Sequence, residues 1–262
     1  MEHDPELTAT GCPICGTRMV RDPAISLIVQ WCFFCGYGRH LSPPDPTIYD
    51  AAYARHLCAI TNTLRGRAIT RARLALASMI IPPLGTVVEW GCGPGVLLQT
   101  MALQQRAILY GYDSSPFCAK YWPNGNHKPL NATHRSREAL SLTFVAQADL
   151  LPPACDVAIF CDSLEHVDDP ARVIHRVNAS HLLVVLPTGE PHEWSHSRHF
   201  KVEPAEHVHF WSVDGFERWL THLGFGVRCV TDVETRLGRE SITTFVASRL
   251  EHLNTDRRTT FA

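Results

Sequence analysis

The run Thr86-Val87-Val88-Glu89-Trp90-Gly91-Cys92-Gly93-Pro94-Gly95 constrains this chain more than any other segment. An apolar strand leads straight into glycines at alternate positions, and Val96-Leu97-Leu98 then opens a helix. A strand, a tight turn and a helix N-terminus in that order let backbone N–H groups approach a polar or anionic ligand closely. A dinucleotide-binding turn needs its third glycine three residues after the second, where this chain has Val96. The loop reads instead as E-x-G-x-G-x-G.

Downstream, apolar segments alternate with helical patterns, as a parallel sheet with crossover helices requires. Strands are predicted at Ala107–Tyr112, Leu142–Ala146, Asp156–Cys161, His181–Leu186, Val227–Val230 and Ile242–Ala247. Ser115-Pro116 is placed to start one helix, Asp169-Pro170 starts another reaching Asn178, and a third covers Val213–Leu223. A chain of 262 residues that is 45% hydrophobic and 19% charged can form one medium α/β domain plus a small appendage. No apolar run is long enough to span a membrane. The net charge of −2 excludes a wholly basic nucleic-acid surface while permitting a local patch.

The appendage is at the N-terminus. Cys12-Pro13-Ile14-Cys15-Gly16 and Cys32-Phe33-Phe34-Cys35-Gly36 are two C-x-x-C-G knuckles with sixteen residues between them. Together they offer four thiolates for a tetrahedral zinc site, and Ile25–Trp31 supplies a ribbon strand between them. With four sulfurs no coordination position is left for substrate, so Cys12, Cys15, Cys32 and Cys35 define structural Zn2+ in a ribbon over residues 1–42. The polar start, Met1 to Gly11, is not a secretory signal, and the paired cysteines fit a reducing, cytoplasmic setting. Cys58, Cys92, Cys118, Cys155, Cys161 and Cys229 read as small buried hydrophobes.

Residues 43–83 form a helical lid or linker after Pro43-Pro44-Asp45-Pro46. Leu64, Ala68, Ala72 and Leu76 suggest its buried face, and Gly66 weakens the helix by about 1 kcal/mol. Arg55, Arg65, Arg67, Arg71 and Arg73 make either a solvated face or a patch for phosphates. The polar tail 251–262 is expected to fray.

Glu89 to Gly95, Asp113, Ala148-Asp149-Leu150 and Asp156 to Val167 resemble motifs I to IV of class I S-adenosylmethionine-dependent methyltransferases, and the subgroup that includes quinone O-methyltransferases above all. The similarity runs from Leu84 to Ser248. It implies a Rossmann-like seven-stranded α/β sheet over 84–250 with S-adenosylmethionine at its carboxyl edge. Glu89, Gly91, Gly93 and Gly95 would form its cradle, Asp113 would hold the ribose hydroxyls, Asp149 the adenine amine, and Cys161 would lie beside the methionine portion. Trp90 departs from the small aliphatic usual there.

His192, His196, His199, His207 and His209 follow the fifth strand, where this family borders its acceptor pocket. Three readings stand together: loop-capping histidines, a catalytic base at His166 or His207, or a metal site. The last rests on the similarity of Asp162-x-x-Glu165-His166 with His207-x-His209 to small-RNA 2′-O-methyltransferases. The ribbon with Tyr49-x-x-x-Tyr53 resembles that of sugar and natural-product enzymes, and those tyrosines are placed to close over the cofactor. A small-molecule acceptor is expected, RNA is the alternative acceptor, and a non-catalytic zinc-ribbon adaptor is the alternative outside enzymes.

Overall fold

The computed structural model describes residues 11–22, 26–122, 141–190 and 206–252. Its centre is a seven-stranded sheet built from β4 (Thr86–Trp90), β5 (Ile108–Tyr112), β6 (Leu142–Val145), β7 (Cys155–Cys161), β8 (Ala179–Pro187), β10 (Phe225–Thr231) and β11 (Ile242–Arg249). The strand order is β10-β11-β8-β7-β4-β5-β6, with the last five parallel and β11 antiparallel to both neighbours. Because β4 lies between β5 and β7, the chain reverses direction across the sheet at the end of β4, where α/β sheets hold ligands. The glycine loop sits there.

The central strands bury both faces, which explains their nearly continuous Val, Ile and Leu content. Alternation divides them cleanly. Leu182 and Val184 of β8 join Phe160, Phe216 and Phe245 on one side, whereas Leu183 and Val185 join Ile159, Leu98 and Met101 on the other. The flanking helices are α3 (Val96–Ala102), α4 (Pro170–Val177) and α5 (Val213–His222). Asp169 caps α4 through Arg172 N–H, and Asn178 ends it in the left-handed region, as the sequence signals require. Among the described residues no helix is long and apolar enough to cross a membrane.

Two expectations fail locally. Ser115-Pro116 starts no α-helix; only a 3-10 turn at Cys118–Tyr121 follows. The Ser115 hydroxyl instead donates to Tyr49 O, which ties the lid to the loop. In the lid, α1 (Ala51–Thr61) is capped by Asp50, breaks at Asn62, and gives way to α2 (Leu64–Ser78), capped by Thr63. The buried face of α2 is Ile69, Thr70, Leu74 and Ala77 rather than the expected Leu64 ladder, and Leu64 is 88% exposed. The apolar period misleads because Arg73, pointing inward, occupies one of the buried positions.

A second sheet, β1-β2-β3-β9, comprises Val20–Asp22, Ser26–Cys32, Tyr37–His40 and His209–Trp211. Its fourth strand thus comes from the far end of the chain, and the ribbon expected over 1–42 is completed by residues 209–211. The expected fraying of the tail concerns residues that, beyond His252, lie outside those described.

Gly66 has a role that helix propensity hides: an added Cβ would overlap Ile60 O and Thr61 of the preceding helix. Propensity alone predicts that Gly66→Ala stabilises by about 1 kcal/mol. The overlap reverses the sign, and urea denaturation should show a loss of about 1–3 kcal/mol.

Candidate active site

Three glycines shape the loop after β4. Gly91, Gly93 and Gly95 have φ of 74°, 52° and 71°, a left-handed conformation that side chains with a Cβ resist. Gly91 also passes so close to Ser163, and Gly95 to the Trp122 ring, that a Cβ at either would overlap its neighbour. Asp113, at the end of β5, fixes the loop from below. Its Oδ2 accepts Gly93 N–H at 2.7 Å and its Oδ1 accepts Ser115 N–H at 2.8 Å. Each carboxylate oxygen has a second lone pair for a ligand donor.

The loop floors a cleft of about 960 Å³, at the upper end of the roughly 300–1,000 Å³ typical of small-molecule sites. Tyr49 and Tyr53 roof it, edge to face with ring centroids 5.2 Å apart. Glu89 and Cys161 line its inner wall. Glu89 is buried, and its Oε2 has no hydrogen-bond partner. Burial, reinforced by the Asp113 charge and opposed by Arg73, pushes Glu89 up to about 8.

Asp162 is held in a different way from the metal-binding expectation. Arg73 donates to it at 2.7 Å, and Arg239 contacts both of its oxygens at 3.0 and 2.8 Å. The same arginines grip fully buried Glu234 of the short helix α6 (Val233–Arg236) at 2.6–2.9 Å. Burial alone would raise Asp162, but Arg239 and Arg73 outweigh it and hold the carboxyl well below the usual range. The network neutralises itself: two cations face two anions. Arg73 is therefore not part of a solvated face or a phosphate patch.

In the lining of the same cleft, ligand atoms of Glu165, His166 and His207 lie within 4.8 Å of one another. His166 Nδ1 is 2.6 Å from Glu206 O, so Nδ1–H donates to that carbonyl. Nε2 lies 3.7 Å from Glu165 Oε1. Glu165 is buried with neither oxygen hydrogen-bonded, and burial together with the Asp162 charge raises its carboxyl well above the normal range.

The remaining expected residues separate. Asp149 does not reach the cleft: it sits in an exposed turn after the edge strand β6 and pairs with Arg176 at 2.9 Å. His209 also points away from His207. It accepts from Tyr37 Oη at 2.8 Å through Nδ1 and meets Asp168 O through Nε2, and burial lowers it to about 4. His192, His196 and His199 lie outside the described residues. Cys12, Cys15, Cys32 and Cys35 converge, their sulfurs within 4.8 Å of one another and one pair, Cys15 and Cys32, 3.7 Å apart. A tetrahedral zinc with Zn–S near 2.3 Å would separate its sulfurs by about 3.8 Å. The donor set fits.

Sequence reasoning missed Arg239 and Glu234 altogether. Glu234 and Arg73 are 161 residues apart, and no local spacing signals such a pair.

Comparison with known proteins gives the family. A model described as a methyltransferase domain matches residues 50–230, and the chain belongs to that family, on the sheet of class I S-adenosylmethionine-dependent enzymes. Magnesium protoporphyrin IX methyltransferase from Synechocystis PCC 6803, solved with bound S-adenosylhomocysteine, is similar at TM-score 0.57 and 17% identity, over 78% of this chain and 100% of that one. A chain from the complex of the Haloferax volcanii Trm112 methyltransferase activator with a methyltransferase is similar at 0.54 and 17%, over 76% and 96%. The [4+2]-cyclase SpnF shares the fold at 0.51 and 14%, over 70% and 82%. No curated protein sequence matches the chain.

The raised Glu89 sets a pH signature. The folded state binds this proton more tightly than the unfolded chain, so its contribution is full below the unfolded value of 4.5 and is lost as pH rises to about 8. Urea denaturation of Glu89→Gln should show a stability gain over wild type that grows from pH 5 to pH 8, by at most about 1.4 kcal/mol per pH unit.

Proposed function

We propose that this protein methylates a nucleophilic oxygen or nitrogen of a small molecule with S-adenosylmethionine, and that Cys12, Cys15, Cys32 and Cys35 hold a structural zinc. One observation carries the reading: a glycine loop locked by Asp113 and the His166 imidazole, anchored through Nδ1 to Glu206 O, line one cleft.

The bound cofactor supplies a methyl group already activated on a cationic sulfur. The rest is done by the chain. Asp113 would accept the ribose hydroxyls while keeping its grip on Gly93, and Glu89 and Cys161, which line the inner wall, would border the methionine portion. Tyr49 and Tyr53 exclude water above it. Alignment of this kind supplies up to about 7–11 kcal/mol of a barrier in the best cases. The acceptor's proton passes to His166 Nε2, and the backbone carbonyl of Glu206 steadies the imidazolium through Nδ1–H. His207 packs against His166, with ring centroids 4.7 Å apart, and limits its rotation.

A second reading is supported by the clustering of Glu165, His166 and His207: a divalent cation held by one carboxylate and two imidazoles would lower the acceptor's pKa in place of a base. An RNA acceptor finds less support. Arg73 and Arg239 are consumed by Asp162 and Glu234, which takes Arg73 out of the basic stretch of the lid.

Calorimetry with S-adenosylhomocysteine tests the cofactor site. Wild type should bind, and Asp113→Ala should bind roughly 10- to 100-fold more weakly, the cost of a lost pair of charge-assisted hydrogen bonds. No binding by wild type would sink the enzymatic reading and revive the adaptor. With an acceptor found by screening methyl transfer, His166→Ala should lower turnover roughly 10²- to 10⁴-fold with little change in cofactor affinity. Turnover insensitive to salt between 50 and 200 mM (about two Debye-length regimes) excludes RNA, whose phosphate contacts weaken steeply over that range.

A further inference from the structure

We infer that the zinc ribbon is the scaffold of the acceptor-side wall of the cleft, and that Tyr37 is its positioning residue. The inference rests on the reading above that His166 and His207 face the acceptor. The ribbon does not stand apart as a recognition module. Its last strand, β3, pairs antiparallel with β9 in the register Tyr37↔Trp211, Gly38↔Phe210 and Arg39↔His209. Residues 206–208, immediately before β9, bring Glu206 and His207 to the cleft.

Three sets of contacts make the connection tight. First, backbone bonds fix Val208, next to His207, on both of its polar groups: His40 N–H donates to Val208 O, and Val208 N–H donates to Glu165 O, both at 2.9 Å. The ribbon strand, the His207 segment and the Glu165-His166 turn are thus joined in one ladder. Second, Tyr37, two residues beyond Cys35, donates its buried hydroxyl to His209 Nδ1, whose Nε2–H reaches Asp168 O beyond the His166 turn. Third, the second cysteine knuckle is seated on the start of α5. Ser212 N–H donates to Gly36 O at 2.7 Å, a Cβ at Gly36 would overlap Ser212, and one at Gly215 would overlap Cys35 O.

The glycine loop, Asp113 and Glu89 receive none of these contacts; they belong to the parallel sheet. The zinc thiolates therefore govern one wall of the cleft and leave the other alone. Loss of zinc, or of the Tyr37 bond, is expected to loosen His207 and Glu206 while the cofactor cradle stays formed.

The test uses the full-length protein, loaded with zinc, stripped of it by a chelator, and as the Tyr37→Phe variant, which keeps all four cysteines. Three quantities are read: zinc content, affinity for S-adenosylhomocysteine by calorimetry, and hydrogen exchange of the Val208 and Ser212 amides with the ring signals of His166, His207 and His209. Both the stripped protein and Tyr37→Phe should exchange Val208 about tenfold faster or more and shift the histidine signals, with cofactor affinity kept within about twofold. Tyr37→Phe should keep its zinc. If Val208 stays protected and the histidine signals stay put in both, the ribbon does not position the wall. If cofactor affinity falls in parallel with protection in both, the ribbon supports the whole fold and the inference is equally overturned. Failure of zinc-loaded wild type to bind S-adenosylhomocysteine is separate and counts against the methyltransfer reading itself.

Discussion

Four side chains fasten the lid to the sheet. Arg73 comes from α2, Asp162 from the end of β7, Glu234 from α6 and Arg239 from the turn before β11. Removing any one leaves buried charge uncompensated, at a cost of about 3–5 kcal/mol for such pairs. Through α2 the network sets α1 and hence the tyrosine roof. Through Asp162, held at a φ of 53°, it sets the turn that delivers Glu165 and His166. The cleft exists in this shape because these charges have no other place to go.

Within that frame the two walls have separate origins. The cofactor side is a property of the parallel sheet, built from a strand end, a glycine turn and one carboxylate that binds two backbone amides. The wall that carries Glu165, His166 and His207 is assembled from distant pieces: a 3-10 turn after β7, the segment before β9, and a cysteine knuckle of the N-terminal sheet. Methyltransferase chemistry places few demands on the acceptor side beyond fit and a proton sink. The contrast between one wall fixed by the fold and another built case by case is consistent with a fold whose relatives include both a porphyrin methyltransferase and a cyclase.

What could be read from the sequence follows the same division. Signals carried by adjacent residues were legible: the glycine turn, Asp113 at the next strand end, the cap pair Asp169-Pro170, and both cysteine knuckles. Each is a short-range consequence of backbone geometry. Interactions between residues far apart in sequence were not. The inward face of α2 was misjudged because a buried arginine sits where the apolar period wants a leucine. Asp149 satisfies every local rule for a strand-end ligand, but its exposed ion pair with Arg176, on a helix after β7, has no local signal. His209 belongs to a histidine-rich run but is taken by Tyr37, from a part of the chain that nothing local to His209 indicates.

The pairing of β3 with β9 also bears on how the chain is made. Strand β3 leaves the ribosome early, and its partner follows about 170 residues later. At roughly 5–20 residues per second, that edge stays open for about 10–30 s. An unpaired strand edge is an invitation to intermolecular pairing. Through this interval β3 keeps only its pairing with β2, so the two cysteine knuckles that flank β2 sit where the open edge most needs holding.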